Sequence, residues 1–138
     1  MEANNLIYLA SPYSHKSLTI RRQRARAITH VAAVLHVQGY HVFSPIVHGH
    51  AIWEEIPLKR LAPSYQRYID WGLDMIERSN QLWVVMLEGW RVSTGIQVEV
   101  GHARRLDIPV LYFDPTKVLR WEEGVANAIT DQPPKEQV

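Results

Sequence analysis

Apolar, β-rich runs at residues 5–10, 40–45, 81–87 and 108–113 are separated by segments with helical spacing of apolar residues, and few architectures accept that alternation. Strands that alternate with helices form a parallel sheet joined by crossover connections, with helices on both faces. The first run, "NLIYLA", closes in the polar loop "SPYSH". A helix is expected from Ser17 to Gln38, where Ile20, Ala27, Ile28, Val31, Val34 and Leu35 keep its period and Gly39 supplies the stop. "YHVFSP" is the second strand, and residues 46–63 read as a long connection or lid that holds a short helix. Ser64 caps a helix over 64–79, and "QLWVVML" is the third strand. Ser93 caps the next helix and "IPVLYF" is the fourth strand. A last helix is expected around Lys117 to Ala128. The reading is one α/β domain over residues 1–130, a doubly wound parallel sheet, followed by a flexible tail over 131–138.

The chain has 138 residues, a formal net charge of +1 and no cysteine. Near-neutral charge gives no overall drive toward a nucleic acid polymer or an acidic membrane. The lack of cysteine removes disulfides, thiolate metal ligands and thiol nucleophiles. No apolar stretch approaches the length of about 18 residues that spans a bilayer, and the six-residue run near the start is too short for a signal peptide. A cytoplasmic protein with a small-molecule partner is expected.

Ligands of doubly wound sheets bind beyond the carboxyl ends of the strands, where the strand order reverses. That rule selects "SPYSH", "SPIVHGH" and "EGWRVSTG". Within "GWRVSTGIQVEVGHARRLDIPV", Glu99 is out of place: Ile96, Val100, Ala103 and Leu106 form one stripe of the helix, and Glu99 falls inside it. A carboxylate withdrawn from water costs several kcal/mol unless it is protonated or paired. It is therefore either half of a buried ion pair or dimer contact, or a group that stabilises positive charge on a sugar or traps it covalently. Ser93 stands at the helix start, where free N–H groups and the positive end of the dipole suit an oxygen-rich or anionic group, and Gly95 lets a ligand approach. Ser93 alone reads more readily as an ordinary N-cap.

Tyr8 in the first strand is either core packing or a phenol that orients the nucleophile. Ser11 lies in the loop that follows and belongs to the expected binding set. Arg24 repeats the Glu99 oddity on the first helix, while Arg21, Arg22 and Arg26 project more outward; it would pair with an acid such as Glu99 or Asp74, or reach a phosphate. Asp70 and Asp74 share a helix face, and one could protonate the leaving base. His48 and His50 form an H-x-H pair, with His15 as a third imidazole. The preferred role is a histidine, His48, against the base or phosphate, with no metal and no cofactor expected. Trp53 and Trp90 are loop candidates for stacking on a base.

With these residues assembled, the chain resembles the nucleoside 2-deoxyribosyltransferase superfamily. The resemblance rests on "IYLASPYSH", "RARAITHVAAVLHVQGYHVFSPIVHGH" and "LWVVMLEGWRVSTGIQVEVGHARRLDIPV", and above all on the pattern S-x-G-x-x-x-E-x-G-x-A, met by Ser93, Gly95, Glu99, Gly101 and Ala103. It implies a flavodoxin-like fold, Glu99 as nucleophile, Tyr8 assisting it, Ser93 at the 5′ end of the sugar or its phosphate, and assembly as a homodimer or higher homo-oligomer. One position departs. The helical aspartate expected to contact base or sugar falls on Gly72, flanked by Asp70 and Asp74, so either a shifted register restores the acid or the role is lost. The implied activity is N-glycosidic cleavage or 2-deoxyribosyl transfer on a nucleoside or nucleoside 5′-monophosphate; the alternative is a nucleotide-binding module without turnover.

Overall fold

A computed structural model of the chain describes residues 5–136. It contains β1 (Leu6–Ala10), α1 (Leu18–Val37), β2 (His41–Phe43), α2 (Pro45–Glu55), α3 (Tyr65–Glu77), β3 (Gln81–Val85), α4 (Thr94–Arg105), β4 (Val110–Phe113) and β5 (Ile129–Thr130). The strands form one sheet in the order β2-β1-β3-β4-β5. The first four are parallel, and β5 runs antiparallel to β4. The fold is mixed α/β of the flavodoxin-like kind, as the strand and helix alternation requires.

Alternation along the strands divides the core in two. Ile7, Leu9, Trp83, Val85 and Phe113 pack with Ala25, Ile28, Val31 and Leu35 of α1 on one face. Tyr8, Ala10, Leu82, Val84 and Tyr112 pack with Ile76 of α3 and Ile96, Val100 and Ala103 of α4 on the other. Both faces of every central strand are thus covered, which explains runs without polar interruption. Ser64 and Ser93 open α3 and α4 as expected, and Ser17 opens α1 in the same way, each hydroxyl accepting from the backbone N–H three residues on. Gly39 closes α1 at φ 92°, a conformation that disfavours other residues.

Two elements differ from the sequence reading. The supposed lid is largely α2, an eleven-residue helix with Ser44 as N-cap and Pro45 in its first turn, followed by a single 3₁₀ turn at Lys59–Leu61. "SP" at the end of the second run is a helix start, not a strand end. The C-terminal helix is absent as well. Asp114 caps a 3₁₀ turn at Pro115–Lys117, and a second one at Ala126–Ala128 leads into β5. The apolar residues there do not share a face: Val125 and Ala128 are buried, whereas Leu119 is 83% exposed. Residues 131–136 have no regular structure, although Arg91 donates to the Pro134 carbonyl at 2.6 Å.

Candidate active site

Because β1 has β2 on one side and β3 on the other, the chain leaves β1 and β3 toward opposite sides of the sheet and opens a crevice at their carboxyl ends. A cavity of about 680 Å³ lies there, within the range of small-molecule sites. Its walls come from the loop after β1 (Ser11 to His15), the start of α1 (Arg21, Arg24), α2 (Ile46, His50, Trp53), α3 (Tyr68, Gly72), the turn into α4 (Gly89, Ser93) and the first half of α4 (Gly95, Glu99).

Tyr8 points to the α3 and α4 side because strand alternation sends Ile7 and Leu9 the other way. It is fully buried, and its hydroxyl donates to Glu99 Oε2. Burial pushes the Glu99 carboxyl up to about 7, while the Tyr8 hydrogen bond works in the opposite direction. Burial, and then the neighbouring Glu99 charge, hold the Tyr8 phenol well above its ordinary value, so Tyr8 keeps its proton and stays the donor. Glu99 therefore has a hydrogen-bond donor on one side and the cavity on the other, and no cation of the described residues forms an ion pair with it.

Ser93 has both expected features in one place: its hydroxyl accepts from Ile96 N at 3.2 Å as an N-cap, and it lines the cavity. The amides of Thr94 and Gly95 in the first turn of α4 have no partner within the helix. A Cβ on Gly95 would meet only Ser93 Oγ, at 3.8 Å, so the site there is open. Ser11 is 5% exposed, lines the cavity, and its hydroxyl has no partner among the described residues. Arg24 lines the cavity too, but it holds the loop after β1, donating to the Ser14 carbonyl at 2.8 Å. It makes no ion pair among the described residues, so neither Glu99 nor Asp74 is its partner. Its Nη2 stands 3.0 Å from where a Cβ of Gly89 would be, and Gly89 has φ 90°.

The other expected residues lie elsewhere. Asp70 and Asp74 are exposed on α3 and off the cavity; Asp70 accepts from Gln66 at 2.8 Å. No shift of register restores an acid, since Gly72 itself faces the cavity and a Cβ there would stand 2.9 Å from Tyr8 Oη. His48 is exposed and packs against Trp71, 5.0 Å between ring centres; it is His50 that reaches the cavity, because a helix turns residues two apart to different sides. Trp90 packs against Tyr112 and lies off the cavity, whereas Trp53 lines it. Arg21, expected to face outward, lines the cavity from the first turn of α1 and donates to the His15 carbonyl. A residue at a helix start can reach back over the preceding loop, which a helical wheel does not represent. Tyr13 lies in the selected loop "SPYSH" but has no individual mark in the sequence, and Tyr68 has none.

The family described as a domain of unknown function, DUF1937, matches residues 5–114. No curated protein matches the chain. Among solved structures, the chain is similar to the 2-deoxyribosyltransferase from the psychrotolerant bacterium Bacillus psychrosaccharolyticus, with 23% identity and a TM-score of 0.54 over 83% of this chain and 76% of that one. The two share a fold.

Proposed function

We propose, for a chain that belongs to the DUF1937 family, that the cavity cleaves the N-glycosidic bond of a nucleoside or nucleoside 5′-monophosphate, with water or a second base as acceptor. The observation that carries this reading is Glu99, half-buried in the first half of α4, oriented by Tyr8 and open to the cavity. The fold shared with a 2-deoxyribosyltransferase supports it.

In the ionised state Glu99 attacks the anomeric carbon as the base departs, and the donated Tyr8 hydrogen bond fixes which carboxylate oxygen is free. Positive charge that develops on the sugar is stabilised by the carboxylate in a site of low effective dielectric. Displacement of the glycosyl group from Glu99 by the acceptor inverts the centre a second time, giving net retention. The open first-turn amides of α4, with Ser93, hold the 5′ end of the sugar or its phosphate, and the unpartnered Ser11 hydroxyl and Arg24 complete that end.

Incubation with a panel of ribo- and deoxyribonucleosides and their monophosphates tests the reading, with free base followed by chromatography. Release by the wild type and none by a folded Glu99→Ala variant is expected. Gly72, where an acid is expected, is the observation that favours a second reading, a nucleotide-binding module. Binding without base release would establish that one.

A further inference from the structure

The cavity carries a second hydrogen-bonded set of ionisable groups that the reading above leaves idle. The Tyr13 hydroxyl lies 2.7 Å from His50 Nδ1, and His50 Nε2 lies 3.1 Å from Glu54 Oε1. Arg22 grips both Glu54 oxygens, at 2.7 and 3.1 Å, and this hydrogen bonding holds the Glu54 carboxyl down at about 2. Tyr13 and His50 line the cavity, and the His50 side chain is only 13% exposed. An ionised carboxylate only accepts, so His50 must donate from Nε2, which leaves Nδ1 to exchange a proton with Tyr13. With a neutral imidazole, Tyr13 donates to Nδ1. With an imidazolium, Nδ1 donates to the Tyr13 oxygen and the phenol proton is free to point at a ligand.

Glycosidic cleavage needs such a group. A nucleobase anion is a poor leaving group, so a proton must reach the heterocycle as the bond breaks. Gly72 supplies none, and Asp70 and Asp74 are outside. Of the other groups on the wall that could give a proton, Tyr8 is committed to Glu99, Tyr68 donates to the Gly49 carbonyl, Tyr65 is 58% exposed, and His15 is exposed and has no acidic partner among the described residues.

Resting on the glycosyl-transfer reading, we propose that Tyr13 is the general acid that protonates the leaving base, fed by His50, with Glu54 as the positioning residue behind it. The C1′–N bond breaks as the bond from Glu99 to C1′ forms; the base nitrogen keeps the electron pair and takes the Tyr13 proton. The Nδ1 proton of His50 passes to the Tyr13 oxygen, leaving a neutral imidazole. Water then adds to C1′ as the Glu99 ester bond breaks, and its proton returns through Tyr13 to His50. Burial raises the Tyr13 phenol above its ordinary value, which keeps it protonated and able to donate.

The test is a series of nucleosides whose leaving bases span several pKa values, ending in an N-pentosyl pyridinium whose base departs neutral and needs no proton. Tyr13→Phe is expected to lower kcat at least ~100-fold on the poorest leaving groups and less than about threefold on the pyridinium, within the range general acids contribute. His50→Gln should follow the same trend and Glu54→Gln a weaker one, with melting temperatures confirming folded variants. Equal losses across the series, or none, would overturn the role of Tyr13 while base release by the wild type upheld the reading beneath it. Loss of release from every substrate in Glu99→Gln marks that underlying reading separately, and a wild type that releases no base from any of them overturns both.

Discussion

Tyr8 and Glu99 occupy one hydrogen bond, and burial acts on both in the same direction, toward the protonated form. For Glu99 this has two consequences. The carboxylate is the reactive form, so base release from an N-pentosyl pyridinium, which needs no proton from Tyr13, should rise with pH through about 7. Tyr8→Phe removes the contact that favours the charged form, so the midpoint should move to higher pH and the rate at pH 7 fall about tenfold or more, as expected for a hydrogen bond to a charged group. A pH profile of base release for the two proteins checks this. Stability moves the other way. Between the ordinary value of 4.5 and about 7 the unfolded chain has lost the proton and the folded chain retains it. Unfolding then releases a proton, so stability falls as pH rises across that window, by about 3 kcal/mol at most, and is flat above it. Glu99→Gln abolishes this slope while keeping an acceptor for Tyr8. Urea midpoints at pH 5 and pH 8 should differ less for the variant, and at pH 8 the variant should be the more stable.

At the scale of elements, α3 meets β1 at Gly72. A Cβ there would stand 2.9 Å from the Tyr8 hydroxyl, closer than side-chain carbons approach, so the hydroxyl would have to shift toward the cavity it borders. In Gly72→Ala, overpacking of about 1–3 kcal/mol is offset in part by the ~1 kcal/mol better helix propensity of alanine. Stability should change by less than about 2 kcal/mol, whereas base release should fall as strongly as in Tyr8→Phe, because the hydroxyl is pushed off Glu99. Chemical denaturation and kinetics on one preparation separate the two effects. Most of the helices were legible from their serine caps and apolar stripes. α2 was not, since Pro45 closes an apolar run and hides a helix start behind it. Glu99 and Ser93 stood out because each broke or began a periodic pattern. The Tyr13–His50 pair had no such mark, since its members lie 37 positions apart on separate elements and only the tertiary fold joins them.

For the molecule as a whole, the strand order decides where chemistry can sit. The reversal between β1 and β3 brings the loop after β1, α2 and the start of α4 to one crevice, which sequence alternation indicates without specifying the partners. The family match ends at residue 114, yet the chain beyond it completes one face of the core: Val125 is 1% and Ala128 3% exposed, and both pack with Phe113 and α1. Val125→Ala should therefore cost about 1–3 kcal/mol in a urea titration, the range for a lost buried branch, and leave the rate per folded molecule unchanged. A surface position would show almost no change.

Covalent trapping tests the central assignment most directly. A nucleoside with a fluorine at C2′, which slows breakdown of a glycosyl ester, and with a readily departing base would be incubated with the protein, followed by peptide mass mapping. A mass gain of one fluoropentosyl group is expected on the peptide that carries Glu99, and none in Glu99→Gln. Release of base with the label on a different side chain, or equal release by Glu99→Gln, would contradict it.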